Sequence, residues 1–104
     1  MEKKRSEQSK QQRSMKLIWT EMSRDDRRAI REYIALDNPV AAVELDKQLS
    51  IRADQLTEQP ESGRPGRVAG TRELVIHRHY VIVYEIVAAA VYILRVLHPS
   101  RRWP

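Results

Sequence analysis

The residues best equipped for chemistry sit in the C-terminal half of the chain. His98 has an imidazole whose ordinary pKa of about 6.5 lets it give or take a proton near neutral pH. Arg95 precedes it, and Arg101, Arg102 and Trp103 follow it closely. Guanidinium groups hold phosphates and carboxylates through paired, charge-assisted hydrogen bonds. A second group, Arg64, Arg67 and Arg72, flanks a stretch containing every glycine in the chain, Gly63, Gly66 and Gly70. Glycines let a backbone approach a phosphate closely. No helix pattern follows them, which excludes a P-loop and leaves turn geometry as their role. Glu73 reads as an ion-pair partner for one of these arginines. No carboxylate lies beside His98 in sequence, so its plainer role is a polar strand end. The arginines around it read as contacts to a target, against the alternative of a solvated chain end. Trp19 reads as a core residue and Trp103 as an anchor for the chain end, since large aromatics usually bury.

Charge is unevenly spread over the 104 residues. The net value is +5, yet positions 15–62 are net negative, and positions 63–104 carry seven basic side chains, all arginine, against two acidic ones. An arginine-only basic half suits a polyanion or an acidic protein surface. With no cysteine there can be no disulfide or thiolate metal site, and the three histidines are too scattered to suggest zinc. The chemistry expected is therefore free of metal and other cofactors. No apolar run approaches the roughly 20 residues needed to cross a bilayer, and no apolar stretch follows the basic N-terminus as in a signal peptide. A cysteine-free domain of this kind fits a reducing cytoplasm.

The elements that must position these side chains follow from periodicity. Positions 1–14 have no apolar residue after Met1 and are expected to form a disordered basic tail, with the folded domain at 15–104. Lys16–Trp19 is short, apolar and β-prone. Thr20 or Ser23 can cap a following helix, and Ser23 with Asp26 resembles a capping box. Met22, Ala29, Ile30, Tyr33 and Leu36 recur at helical spacing, giving a helix over about 23–36. Asn38-Pro39 breaks it and starts a second helix, with Asn38 as cap and Pro39 in the first turn. Its apolar stripe is Ala42, Leu45, Leu49, Ala53 and Leu56. After the Gly/Pro-rich loop come three strand-like runs, at 72–76, 80–86 and 90–97, joined by short connectors and hence antiparallel. The middle run is apolar on both faces and reads as central. Strict alternation places Arg95 on the face of Ile93 and Leu97. The order β-α-α-β-β-β predicts an α+β domain, an antiparallel sheet with a helical hairpin packed on one face. The first strand is expected at a sheet edge. The other sheet face lacks a covering element, so it is either polar or covered by a partner.

Three segments then carry a resemblance. They are the hairpin broken at Asn38-Pro39, the run from Gly63 through Arg67 and Arg72 to Leu74, and the ending Ile93-Leu94-Arg95-Val96-Leu97-His98 with Arg101-Arg102-Trp103-Pro104. Together they resemble the RelE/ParE toxins of type II toxin–antitoxin systems, over about 15–104. The resemblance implies a growth-inhibiting toxin, as found in plasmid stabilisation, held in a hetero-oligomer by a cognate antitoxin. RelE-like members resemble metal-independent endoribonucleases that cleave messenger RNA on the ribosome. ParE-like members inhibit DNA gyrase and are not known as nucleases. Cleaving members commonly carry an arginine after the first residue of the central strand. The matching position here is Val81, which cannot stabilise a phosphorane. The sequence is thus closer to the ParE-like branch. The resemblance implies Arg67, Arg72, Arg95, Arg101, Arg102 and Trp103 as target contacts, with His98 catalytic only in the nuclease reading.

Overall fold

The structure, a computed structural model, describes residues 15–77, 80–98 and 103. The expected tail at 1–14 lies outside them, as do Arg101 and Arg102. The chain forms β1 (Lys16–Trp19), α1 (Glu21–Ala35), α2 (Pro39–Gln55), β2 (Arg64–Pro65), β3 (Thr71–His77), β4 (Tyr80–Val87) and β5 (Ala90–Leu97). The strands make one sheet in the order β1-β5-β4-β3-β2. The α+β class and the helical hairpin on one face agree with the sequence reading. The sheet is mixed, however, because β1 lies parallel to β5, pairing Lys16 with Ala90 and Trp19 with Ile93. The two helices return the chain to the starting end before the meander begins, which is why the first and last strands run the same way. The two-residue β2, opposite Arg72 and Glu73, is an addition that loop composition did not reveal.

The second helix forms as its pattern requires. Asn38 accepts from the Ala41 amide at 3.1 Å, and Pro39 fills the first turn, where a missing N–H costs nothing. Ala42, Leu49, Ala53 and Leu56 are buried. Leu49, Ala53 and Leu56 pack with Leu74, Ile82, Tyr84, Val91, Ile93 and Val96 of the sheet in the main core. Burial of each large aliphatic side chain contributes about 1.5–3 kcal/mol.

The first helix is held differently. It begins at Glu21, two residues earlier than the pattern suggested, because Thr20 is the cap and accepts from the Ser23 amide at 3.2 Å. Ser23 is fully buried and its hydroxyl donates to the Thr20 carbonyl at 2.8 Å. Of the apolar positions counted for this helix, Ile30 packs on the core, whereas Met22, Tyr33 and Leu36 are 57%, 73% and 87% exposed. Polar contacts secure it instead. Arg27 stacks 4.5 Å above the Trp19 ring and bridges to Asp46 of α2 at 2.9 Å.

The most consequential of these contacts reach β5. Beyond Trp19 the first strand is over, yet β5 continues to Leu97. The Thr20 hydroxyl donates to the Ile93 carbonyl at 2.7 Å, and the Thr20 amide to the same carbonyl at 3.1 Å. Asp26, which the sequence placed in a capping box, accepts the Val96 N–H at 2.9 Å and takes both arms of Arg95, at 2.8 and 3.1 Å. The first turns of α1 therefore stand in for a missing strand. Here β5 also bulges: Val83 pairs with Arg95 but Tyr84 pairs with Ile93, leaving Leu94 extra. The bulge breaks the alternation assumed from sequence. Ile93 faces the helices, while Leu97 joins Val81 and Val83 on the opposite face.

Asp26→Ala should strand a guanidinium and an edge N–H at once. The side chains of this pair are 22% and 14% exposed. A loss of about 2–3 kcal/mol in unfolding free energy is expected in urea denaturation. A loss under about 0.5 kcal/mol would put the pair among weak, screened surface bridges.

Candidate functional site

The sheet face turned away from the helices carries a smaller apolar cluster. Val81, Val83 and Leu97 are 6%, 2% and 6% exposed, and Trp103 packs against them. The Val81–Leu97 pairing fixes this floor, and one step beyond it lie Tyr80 and His98. Their rings meet edge to face with centroids 6.0 Å apart. His98 is exposed.

A rim of charge surrounds the floor. Glu73 on β3 is buried at 7% exposure and holds the loop that passes over it. One of its oxygens accepts from Arg64 at 3.3 Å, the other from the Arg67 amide at 3.2 Å. Both oxygens of this buried carboxylate are taken by donors from the loop. Glu73 thus acts as a keeper that sets Arg64 and Arg67 beside the apolar floor. Together with Val81, Val83, Leu97, His98 and Trp103 they enclose a shallow recess of about 80 Å³. Its chemistry is a greasy floor, a tryptophan wall and a cationic lip, which suits insertion of an apolar group flanked by negative charge.

The loop itself is pinned from below. The Tyr84 ring is fully buried in the main core, and its hydroxyl donates to the Pro60 carbonyl at 2.6 Å while accepting the Gly63 amide at 2.9 Å. Burial pushes the Tyr84 phenol up, and the Gly63 hydrogen bond partly opposes that. A side-chain carbon added at Gly63 would lie 2.7 Å from this hydroxyl, so the site accepts only glycine without rearrangement. Gly66 is equally confined, with the Thr71 hydroxyl in the place of its missing side chain. Arg64 and Pro65 sit between these two close approaches.

The described arginines among those named from sequence do not share one role. Arg67 reaches the recess lip, and Arg64, which flanks the same loop, joins it. Arg72 lies opposite Tyr84 in register and donates to the Gly63 and Glu61 carbonyls at 2.6 and 3.2 Å, so it serves the loop. Arg95 is taken up by Asp26, whose hydrogen bond raises the arginine pKa further. His98 and Trp103 line the recess. Val81 forms part of its floor. Sequence reasoning missed the roles of Asp26 and Tyr84. Their partners are 69 and 24 positions away, and no local pattern marks such pairs. Among the described residues no group of three or more histidine or acidic side chains converges as a metal site would. No described helix is long and apolar enough to cross a membrane.

A five-stranded mixed sheet backed by a helical hairpin, with a cationic recess on its open face, defines a small α+β domain. The family described as the ParE toxin of type II toxin–antitoxin systems matches residues 17–103. Toxin RelE2 of Caulobacter vibrioides is 40% identical over 85 residues, covering 82% of this chain and 96% of that one. Among solved structures, the chromosomal ParDE system of P. aeruginosa superposes with a TM-score of 0.75 at 23% identity, over 83% of this chain and 97% of that one. The RelBE2 toxin–antitoxin complex of Mycobacterium tuberculosis gives 0.58 at 22% identity, over 85% and 94%. The chain belongs to the ParE toxin family of type II toxin–antitoxin systems, within the wider ParE/RelE group.

Proposed function

We propose that this toxin acts by inhibiting DNA gyrase, so blocking replication, with the open-face recess as its contact surface. The observation that carries the reading is the recess floor. Val81, Val83 and Leu97 offer no donor to an attacked phosphate, where a nuclease would need one for the charge of the transition state. An apolar floor with an arginine lip and a half-buried tryptophan at its side fits a protein target, since tryptophan and arginine dominate binding hot spots. In this reading Arg67, Arg64 and Trp103 make the contacts, with Arg101 and Arg102 extending the basic end. No cofactor is required.

A second reading, a ribosome-dependent messenger RNA endoribonuclease, is favoured by one observation: His98 shares the recess with Arg64, Arg67 and Glu73. There His98 would move the proton and the arginines would hold phosphate. The two readings separate in bacteria carrying the gene on an inducible promoter. Gyrase inhibition is expected to give filamentation, an SOS response and loss of supercoiling by purified gyrase, with messages left uncleaved. Rapid translation arrest with cleaved messages, abolished by His98→Ala, would overturn the gyrase reading.

The exposed apolar side chains at the hairpin tip support a cognate antitoxin as second partner. Tyr33, Leu36, Val40 and Val43, at the end of α1, its cap and the start of α2, are 73%, 87%, 70% and 55% exposed, and solved structures of this fold include a toxin–antitoxin complex. Several large apolar side chains exposed so close together in sequence support an interaction site there. A cytoplasmic hetero-oligomer with the small protein encoded beside this chain is expected. In co-expression pull-downs Leu36→Asp should weaken capture of that protein at least about tenfold. Undiminished capture would move the antitoxin to another face.

A further inference from the structure

We infer that Tyr84 and Arg72 are positioning residues for the recess, acting through the loop that carries Arg64 and Arg67. The inference rests on the reading of the recess as the contact surface. Tyr84 is buried among the helix-side core residues, on the far side of the sheet from the floor formed by Val81 and Val83. Its hydroxyl nevertheless fixes two backbone groups of the loop, the Pro60 carbonyl and the Gly63 amide. Arg72 fixes two more, the carbonyls of Glu61 and Gly63. Gly63 is thus gripped at both its N–H and its C=O, immediately before Arg64.

From Gly63 the chain has little freedom. Arg64 lies across from Glu73 in the two-residue β2–β3 pairing. Gly66 donates to the Thr71 carbonyl at 2.8 Å, Thr71 donates to the Val68 carbonyl at 2.7 Å, and the Arg67 amide docks on Glu73. The loop is therefore anchored on one side by Tyr84 and Arg72 and on the other by Thr71 and Glu73. A surface loop without such anchors would sample many geometries, and ordering its arginines on binding would weaken affinity. The hydroxyl of Tyr84 is well chosen for this role. It is both donor and acceptor, and packing holds its ring in a single place. Phenylalanine would keep the packing and lose both bonds.

The test is a double-mutant cycle. Toxin potency is read as the cellular protein level, by immunoblot, that halves growth rate. Tyr84→Phe and Arg72→Ala are each expected to need about five- to tenfold more protein, with circular dichroism and melting showing a folded domain. In an Arg64→Ala/Arg67→Ala background the same two changes should have no further effect. An equal further loss in that background would overturn the inference, because both residues would then act on the fold at large. Unaltered potency of Tyr84→Phe and Arg72→Ala in the native background would overturn it too. Full potency of Arg64→Ala/Arg67→Ala itself would remove the recess reading, a separate failure that takes this inference with it. Amide hydrogen exchange gives a readout that general destabilisation does not mimic. In Tyr84→Phe, exchange should quicken at both Gly63 and Arg67 while the β4–β5 amides stay protected. Quickening confined to Gly63 would show that the grip does not reach the arginines.

Discussion

Beyond Ile93 the outer edge of β5 has no strand to bond to, since β1 stops at Trp19. Backbone donors and acceptors in a partly buried sheet edge are costly when left unpaired, at about 1–3 kcal/mol each. The chain meets this constraint with the start of its first helix. Thr20 serves the Ile93 carbonyl and Asp26 serves the Val96 amide, while Asp26 also neutralises Arg95. This lets β5 run on to Leu97 with a bulge at Leu94, and the bulge turns Leu97 toward the open face. It also explains why α1 can leave Tyr33 and Leu36 in solvent. That helix is held to the sheet by polar bonds at its N-terminal end and by Ile30 against the core.

The two faces of the sheet consequently have different jobs. One is closed by α2 and supplies most of the hydrophobic stabilisation. The other keeps a small apolar floor with a charged lip. Side chains of β3 and β4 connect the two: Glu73 reaches the lip directly, and Tyr84 and Arg72 hold the loop from the other side. Arginine is suited to such a lip because its charge persists at any physiological pH and its fork can grip a carboxylate or phosphate with two bonds.

Much of this was legible in the residues. The Asn38-Pro39 break, the Ala42–Leu56 stripe and the three C-terminal strands follow from local chemistry, and each is present. The apolar pattern of α1 was misleading for a physical reason. A stripe signals burial without saying whether the same chain or another one buries it. The parallel placement of β1 and the bulge in β5 arise from contacts between distant segments, which periodicity does not encode. Arg95 illustrates the consequence. Strict alternation put it with Ile93 and Leu97 on one face, whereas the bulge separates those neighbours and Asp26, 69 positions away, claims the guanidinium. Arg72 was likewise read as a target contact by type and neighbourhood, and its hydrogen bonds go to loop carbonyls. For residues 1–14 and for Arg101 and Arg102 the sequence reading stands alone.

In the proposed function the open face of the sheet, rather than the helical face, meets the cellular target. Hydrogen–deuterium exchange of the toxin alone and bound to purified gyrase tests it most directly. Protection gained in the loop around Arg64–Arg67 and at His98 is the expected result. Protection confined to α1 and α2, with the loop and the open-face strands exchanging as in the free protein, would contradict it.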